Sequence, residues 1–372
     1  MSEYKGIKGF SIQSLSADPA DPNIGQVWYN STSGSWKVTS VTTAGAWATG
    51  NNMNTARYGS AGCGTQTVAL ASGGYDTAAT GATEEYDGNS WTNSNSLNTA
   101  RSQIAGCGIQ TAALAFGGWA PNNTGATEEY NGATWANNPT GLNTPRTALA
   151  GCGTQTAALG FGGTTGSPST ATESWNGSTW TSVANMGTAR YSLTGAGTQT
   201  AALAIGGFTF PPSTIYSATE EYDGSIWTVG GSLNTARHSS GAAGTQTAGL
   251  AFGGASPSLT GATEEYDGTS WTSNPTGLNT ARSRVRGAGT QTAALAFGGE
   301  ATIKSAATES YDGSTWTTDT SMNTGRGGPG NAGTQASALA FGGDVGGVPF
   351  TTAATEEWTG GGSPLTQTIT VS

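Results

Sequence analysis

Histidine occurs once and cysteine three times in 372 residues. A lone His238 excludes multi-histidine copper or zinc centres and any Ser-His-Asp triad repeated along the chain. Charge is equally sparse. Only 10% of the residues are Asp, Glu, Lys or Arg, and the formal net charge is −10. Nucleic acid needs clustered cations to neutralise phosphate, so an RNA or DNA partner is not expected. No run is long and apolar enough to span a bilayer, and Met1 to Phe10 lacks the apolar centre of a signal peptide. Neither membrane insertion nor a signal peptide is expected. Hydrophobic residues make up 35%, a value that would suggest disorder if the 60 glycines were scattered.

They are not scattered. A diglycine begins at Gly73, Gly117, Gly162, Gly206, Gly253, Gly298 and Gly342, at spacings of 44, 45, 44, 47, 45 and 44 residues. A fixed period in this range marks a repeat architecture that closes into one body. The unit is cleanest from Ala288 to Trp316: a Gly-Thr-Gln, an Ala/Leu/Phe run ending in Gly-Gly, a variable stretch, then Thr-Glu-Ser-Tyr-Asp-Gly and a tryptophan. Cys63, Cys107 and Cys152 share a unit position filled elsewhere by Ala196, Ala243, Ala288 and Ala332. Interchange with alanine predicts a small buried apolar site, with neither a disulfide nor a metal.

Each unit reads as four short strands. In one unit these are Ser102 to Cys107, Thr111 to Phe116, Ala126 to Tyr130, and a fourth carrying Trp135 after an Asn-Gly turn. The second strand alternates Leu and Phe with Ala, so one face is bulky and the other flat. Sheets stacked about 10 Å apart could press the bulky face of one on the flat face of the next. The last unit ends at Trp358 without a fourth-strand tryptophan of its own, while Trp47 stands ten residues before Arg57, as Trp91 does before Arg101. Residues 44 to 49 are therefore expected to complete the last sheet and close a ring of seven, which removes exposed edges. Before the repeat, Ile24 to Asn30 and Ser35 to Val38 read as a hairpin, preceded by a turn-rich linker at Ser16 to Pro22.

Gly117, Gly118, Glu128, Tyr130, Trp135 and Arg146, with their equivalents over residues 44 to 358, resemble the kelch repeat in order and spacing. Trp175 and Trp358 depart from its tyrosine, and Ser174 and Ser310 from a glutamate. The resemblance implies an all-β, seven-bladed kelch-type β-propeller with four-stranded blades, the last closed by an N-terminal strand. The expected division is a β-hairpin extension over 1–43, the propeller over 44–359 and a C-terminal tail over 360–372. The wording of the units is also similar to virion-associated proteins of tailed, especially marine, phages. Gly25 to Gly34 is similar to a short module of phage tail and fibre proteins. These likenesses imply a non-enzymatic virion structural protein without cofactors, exposed on the particle. The N-terminal extension would contact other virion proteins, and the propeller would bind a host surface glycan or receptor. A carbohydrate-active enzyme of the same fold, or a scaffold for protein partners, stands as the alternative.

One arginine and one first glutamate recur per unit, Arg57, Arg101, Arg146, Arg190, Arg237, Arg282 and Arg326 against Glu84, Glu128, Glu173, Glu220, Glu264, Glu309 and Glu356. The glutamates could form a carboxylate ring for cations. Sevenfold repetition instead favours ion pairs, expected between blades. Arg284 and Arg286, beside Arg282, are expected on a solvated strand face, and His238 reads as an ordinary strand residue. Candidate binding residues come from the loops after the diglycine, which vary in length and content while the Gly-Thr-Gln and Asp-Gly turns barely change: Trp119, Phe208, Phe210, Tyr216 and Phe350. Loops on a rigid scaffold carry recognition, and aromatic side chains give large contact area. Neutral drift of surface loops would look the same.

Overall fold

In the computed structural model, residues 13–19, 26–41, 44–361 and 364–368 are described. Much of the candidate anchor, residues 1–12 and 20–25, lies outside them. Two compact units emerge, Met1–Ala46 with Thr359–Ser372, and Trp47–Trp358. Among the described residues there are strands and no helices.

The smaller unit is a four-stranded sheet. Gln13–Leu15 runs parallel to Val27–Asn30, which pairs antiparallel with Ser35–Val41, and that strand takes Pro364–Thr368 on its far side. The expected hairpin is present, and the segment read as a tail supplies a strand. Trp28 is buried, and its indole N–H donates to Asp18 Oδ1 at 2.9 Å, while the Asn30 amide donates to the same oxygen at 2.7 Å.

The larger unit repeats one antiparallel sheet. In the second copy the strands are Ala105–Ile109, Ala112–Phe116, Thr127–Tyr130 and Trp135–Asn138, paired in sequence order. Seven such sheets occur, numbered here 1 to 7 from Ala61–Gly64 onward, in a pattern that fits a β-propeller. Sheet 7 contains Gly330–Gly333, Ser337–Phe341 and Thr355–Thr359, and its fourth strand is Ala46–Gly50. Trp47 packs on Trp358 with ring centroids 5.5 Å apart.

Burial follows the alternation along the second strands. Leu70 of sheet 1 lies against Ala113 and Ala115 of sheet 2, and Leu159 and Phe161 of sheet 3 lie against Ala202 and Ala204 of sheet 4. The cysteines belong to these same layers as free thiols. Burial pushes the thiols of Cys107 and Cys152 up to about 12.

Polar latches tie each sheet to the one before it. The fourth-strand indole N–H donates to a third-strand threonine of the preceding sheet: Trp135 to Thr83 at 2.9 Å, Trp91 of sheet 1 to Thr355 of sheet 7 at 2.8 Å, and Trp47 to Thr308 at 2.8 Å. The glutamine of the first turn reaches back in the same way, Gln110 to the carbonyls of Ala69 and Tyr86, and Gln66 to those of Trp358 and Ala338. The diglycine reaches forward. Gly118 N–H donates to the Arg146 carbonyl at 3.0 Å, and Gly343 N–H of sheet 7 to that of Arg57 in sheet 1 at 2.9 Å. Gly117 has φ 64°, and a Cβ there would sit 2.8 Å from the Arg146 oxygen. Only glycine fits.

The arginine and first glutamate pair within a sheet, where the expectation had been pairing between sheets. Arg101 Nη1 meets Glu128 Oε1 at 2.5 Å with both side chains buried, and the other six pairs lie on the same two elements. The same carboxylate accepts the backbone N–H of Asn98 at 2.6 Å and of Thr99 at 3.2 Å, so it also grips the connector arriving from the preceding sheet. Carboxylates do link sheets, through the second glutamate. Glu85, Glu221, Glu265 and Glu357 each accept from the tyrosine hydroxyl of the next sheet, Tyr130, Tyr266, Tyr311 and Tyr86. Where Trp175 replaces that tyrosine, the cross-sheet hydroxyl is lost; burial raises the Glu129 carboxyl from its usual value, and a hydrogen bond with Asn138 partly offsets this.

Candidate functional site

The long loops and the fourth-to-first connections share one end of every sheet. An isolated bridge joins the residue after the repeat arginine to the residue after the diglycine: Tyr58 with Tyr75, Ser102 with Trp119, Tyr191 with Phe208, and His238 with Ala255. Neighbouring loops also touch. Asn123 donates to the Thr164 carbonyl at 3.1 Å, Lys304 to Asp344 at 2.6 Å, and the Thr351 hydroxyl to Asp76 at 2.7 Å. In sheets 2, 4 and 5 the loop forms a two-stranded ribbon, such as Trp119–Ala120 with Asn122–Asn123.

The five sequence candidates fall into two groups on this end. Trp119 is exposed and lies 6.3 Å from Tyr75, which lies 5.7 Å from Tyr58. Tyr58 and Tyr75 line a cavity of about 320 Å³ together with Phe350, Lys304 and Asp344. Trp119 thus packs beside Tyr75, one of the two tyrosines that line this cavity with Phe350. Phe208 belongs to the second group, edge-on to Tyr191 at 5.5 Å and 5.1 Å from the His238 ring. Phe210, in the same loop, is 60% exposed. Tyr216 is half-buried and accepts through its backbone carbonyl from the Arg237 N–H at 3.1 Å, a structural part of the loop base.

Tyr58, Tyr75, Tyr191 and His238 were missed as site residues. For Tyr58, Tyr191 and His238 the signal was there: the position after the repeat arginine changes from unit to unit while the arginine does not, and Tyr75 opens a variable loop directly after a diglycine. His238 forms a β-bridge with Ala255, as a strand residue would, and its ring packs on Phe208. Burial lowers its pKa below the usual value.

The run of arginines also departs from expectation. Arg282 is buried against Glu309. Arg284 pairs with Glu300 at 2.8 Å, and Lys304 joins Glu300 and Asp344 to form a small ionic network at the loop end. Arg286 is partly buried. Arg282 is thus buried, Arg284 is half-exposed outside the strands, and Arg286 opens a strand and faces a cavity. Among the described residues no group of three or more His, Cys, Asp or Glu side chains could hold a metal ion.

No protein-family model matches the chain, and no curated protein matches it in sequence.

Proposed function

We propose that the larger unit is a seven-bladed, kelch-type β-propeller closed by residues 46–50, and that it serves as an adhesion or decoration module of a tailed-phage particle. It binds a host surface glycan on the end carrying the variable loops, and it does so without catalysis. The closed reading is supported by the Trp–Thr, Gln–carbonyl and diglycine latches, each of which joins sheet 7 to sheet 1 as it joins any other pair. The non-catalytic reading is supported by the engagement of all seven first glutamates with arginines.

One observation carries the glycan assignment: the Trp119, Tyr75 and Tyr58 rings run in series into the cavity edged by Phe350. Aromatic faces offer rigid apolar area to the C–H faces of a sugar, and Asp344 and Lys304 stand alongside to accept from and donate to hydroxyls. The particle assignment rests on the resemblance of the unit wording and of the hairpin, with the smaller unit as the contact to other virion proteins.

A glycan array with the full chain, read beside a turnover assay, tests the first part. Binding that falls in Trp119→Ala with no product released agrees with the reading, and cleavage of a bound glycan replaces it with an enzyme. Deleting residues 1–43 should prevent incorporation into particles, and continued incorporation refutes the anchoring role.

A further inference from the structure

A second cavity, of about 700 Å³, is bounded by the start of the first strand in all seven sheets. Its size is that of a small-molecule site. Glycine, alanine, serine and threonine dominate its wall, and two cations interrupt them, Arg284 and Arg286, with no Asp or Glu in the lining. In a chain of net charge −10 this is an unusual place.

The two arginines differ. Arg284 is neutralised by Glu300 at 2.8 Å and Asp344 at 3.7 Å. Arg286 opens the strand Arg286–Gly289, and its Nε donates to the Pro329 carbonyl at 2.7 Å. That bond fixes the plane of the guanidinium. Among the described residues no carboxylate stands within ion-pair distance of it and no hydrogen bond from either Nη is formed, and neither Nη is shut away from solvent. Burial first, and the charge of Arg284 second, lower its pKa to about 10, which leaves it cationic at neutral pH.

The fold does not ask for this arginine. Register places Arg286 opposite Phe297 as Ala105 stands opposite Phe116, Ala150 opposite Phe161, Thr194 opposite Ile205 and Gly241 opposite Phe252. In sheets 1 and 7 the same place holds Ala61 and Gly330. Six sheets close with a small neutral residue there, and one carries a partly buried cation whose Nη groups are free. A partly buried guanidinium with no carboxylate beside it is free to pair with an anion that enters the cavity.

We propose that this cavity is an oxyanion site that takes the carboxylate of an acidic sugar, both Nη groups of Arg286 donating to its two oxygens. The planar fork matches a carboxylate bidentately. Ser60, Gln103, Ser192 and Ser239, which also line the cavity, carry the hydroxyl and amide groups that a sugar ring would meet. The sugar as source of the carboxylate rests on the adhesion reading, whereas the oxyanion chemistry stands on the cavity alone.

Calorimetric titration of the full chain with tri-galacturonate, maltotriose and sodium sulfate tests it. Tri-galacturonate is expected to bind, to weaken with added salt, and to lose at least tenfold in affinity in Arg286→Ala. That variant places in sheet 6 what sheets 1, 2 and 3 already carry, so its urea unfolding midpoint should not fall. The proposal is overturned by any of four results: no binding at millimolar tri-galacturonate, unchanged affinity in Arg286→Ala, equal affinity for maltotriose, or sulfate alone binding as tightly as the sugar. The loop face is read separately through neutral glycans and Trp119→Ala, so failure of either site leaves the other result standing.

Discussion

Glu128 and Arg101 are buried together, yet the two halves of the pair are not equally replaceable. The Glu128 carboxylate accepts from Arg101 Nη1 at 2.5 Å, from Asn98 N–H at 2.6 Å, from the Asn98 side-chain amide at 2.9 Å and from Thr99 N–H at 3.2 Å. Arg101 has less behind it: its other bonds go to the carbonyls of Thr99 at 3.3 Å and Ala115 at 3.2 Å, and its Nε has no partner. In Arg101→Met the carboxylate keeps three N–H donors and the methionine fills much of the space. The cost should lie near the lower end of the range for a broken buried pair, about 3 kcal/mol. In Glu128→Ala the guanidinium is left with carbonyls alone, near the upper end at about 5 kcal/mol. Two connector N–H groups also lose their acceptor, at about 1 kcal/mol or more each. The glutamate variant is therefore expected to be the worse by at least about 2 kcal/mol. The double variant Arg101→Met/Glu128→Leu should cost less than the sum, since no charge remains buried. Urea unfolding followed by tryptophan fluorescence and circular dichroism measures this, with coincidence of the two probes required before free energies are compared. Equal costs for the two single variants, or an arginine variant within about 0.5 kcal/mol of the parent, would refute the account.

Three further outcomes follow from other contacts. Trp47→Ala, which empties the layer shared with Phe297 and Trp358 and removes the bond to Thr308, should cost about 3–5 kcal/mol by urea unfolding, and a loss as small as that of a surface substitution would contradict closure by this strand. Asp87, Asp223, Asp267 and Asp312 accept backbone N–H groups in their turns and are held below the usual carboxylate value of 3.8. Because the folded pKa is the lower one, their stabilisation is complete above 3.8 and is lost as pH falls through the folded value. Changing all four to Asn, the residue already present at Asn131 and Asn176, should flatten the acid limb of the unfolding curve. Cys107 and Cys152, pushed up to about 12 by burial, should resist maleimide at neutral pH until the chain unfolds, and rapid labelling of the native protein would place them elsewhere.

The repeat was readable because each of its parts has a local cause. Gly-Gly ends a strand, Asp-Gly turns a hairpin, and alternating Leu and Ala sort two faces. Even Trp47 could be assigned to the far end of the chain, since its distance to Arg57 copies that of Trp91 to Arg101. Partner choice was not local. Whether Arg101 reaches Glu128 in its own sheet or a glutamate in the next depends on the stagger between sheets, and that stagger leaves no trace in a period. Gln110 gave no local sign of its role, because its two carbonyl acceptors, on Ala69 and Tyr86, belong to the preceding unit. Of the loop face, the exposed aromatics were visible as residues, but their grouping was not. Tyr58 and Tyr75 are far from Phe350 in sequence and meet it at one cavity. Arg286 was visible as a strand residue, but the cavity it faces is assembled from all seven units and left no trace in the Arg-x-Arg alternation.

The fourth strand of sheet 7 is the first part of the larger unit to leave the ribosome, and the strand it pairs with is the last. Until Trp358 is made, Ala46–Gly50 has no partner and sheet 1 has no neighbour on one side. Each nascent chain therefore carries two adhesive borders throughout synthesis. A product truncated within the final unit keeps those borders for good, which makes clumping, rather than a slightly weakened fold, the expected fate of such fragments.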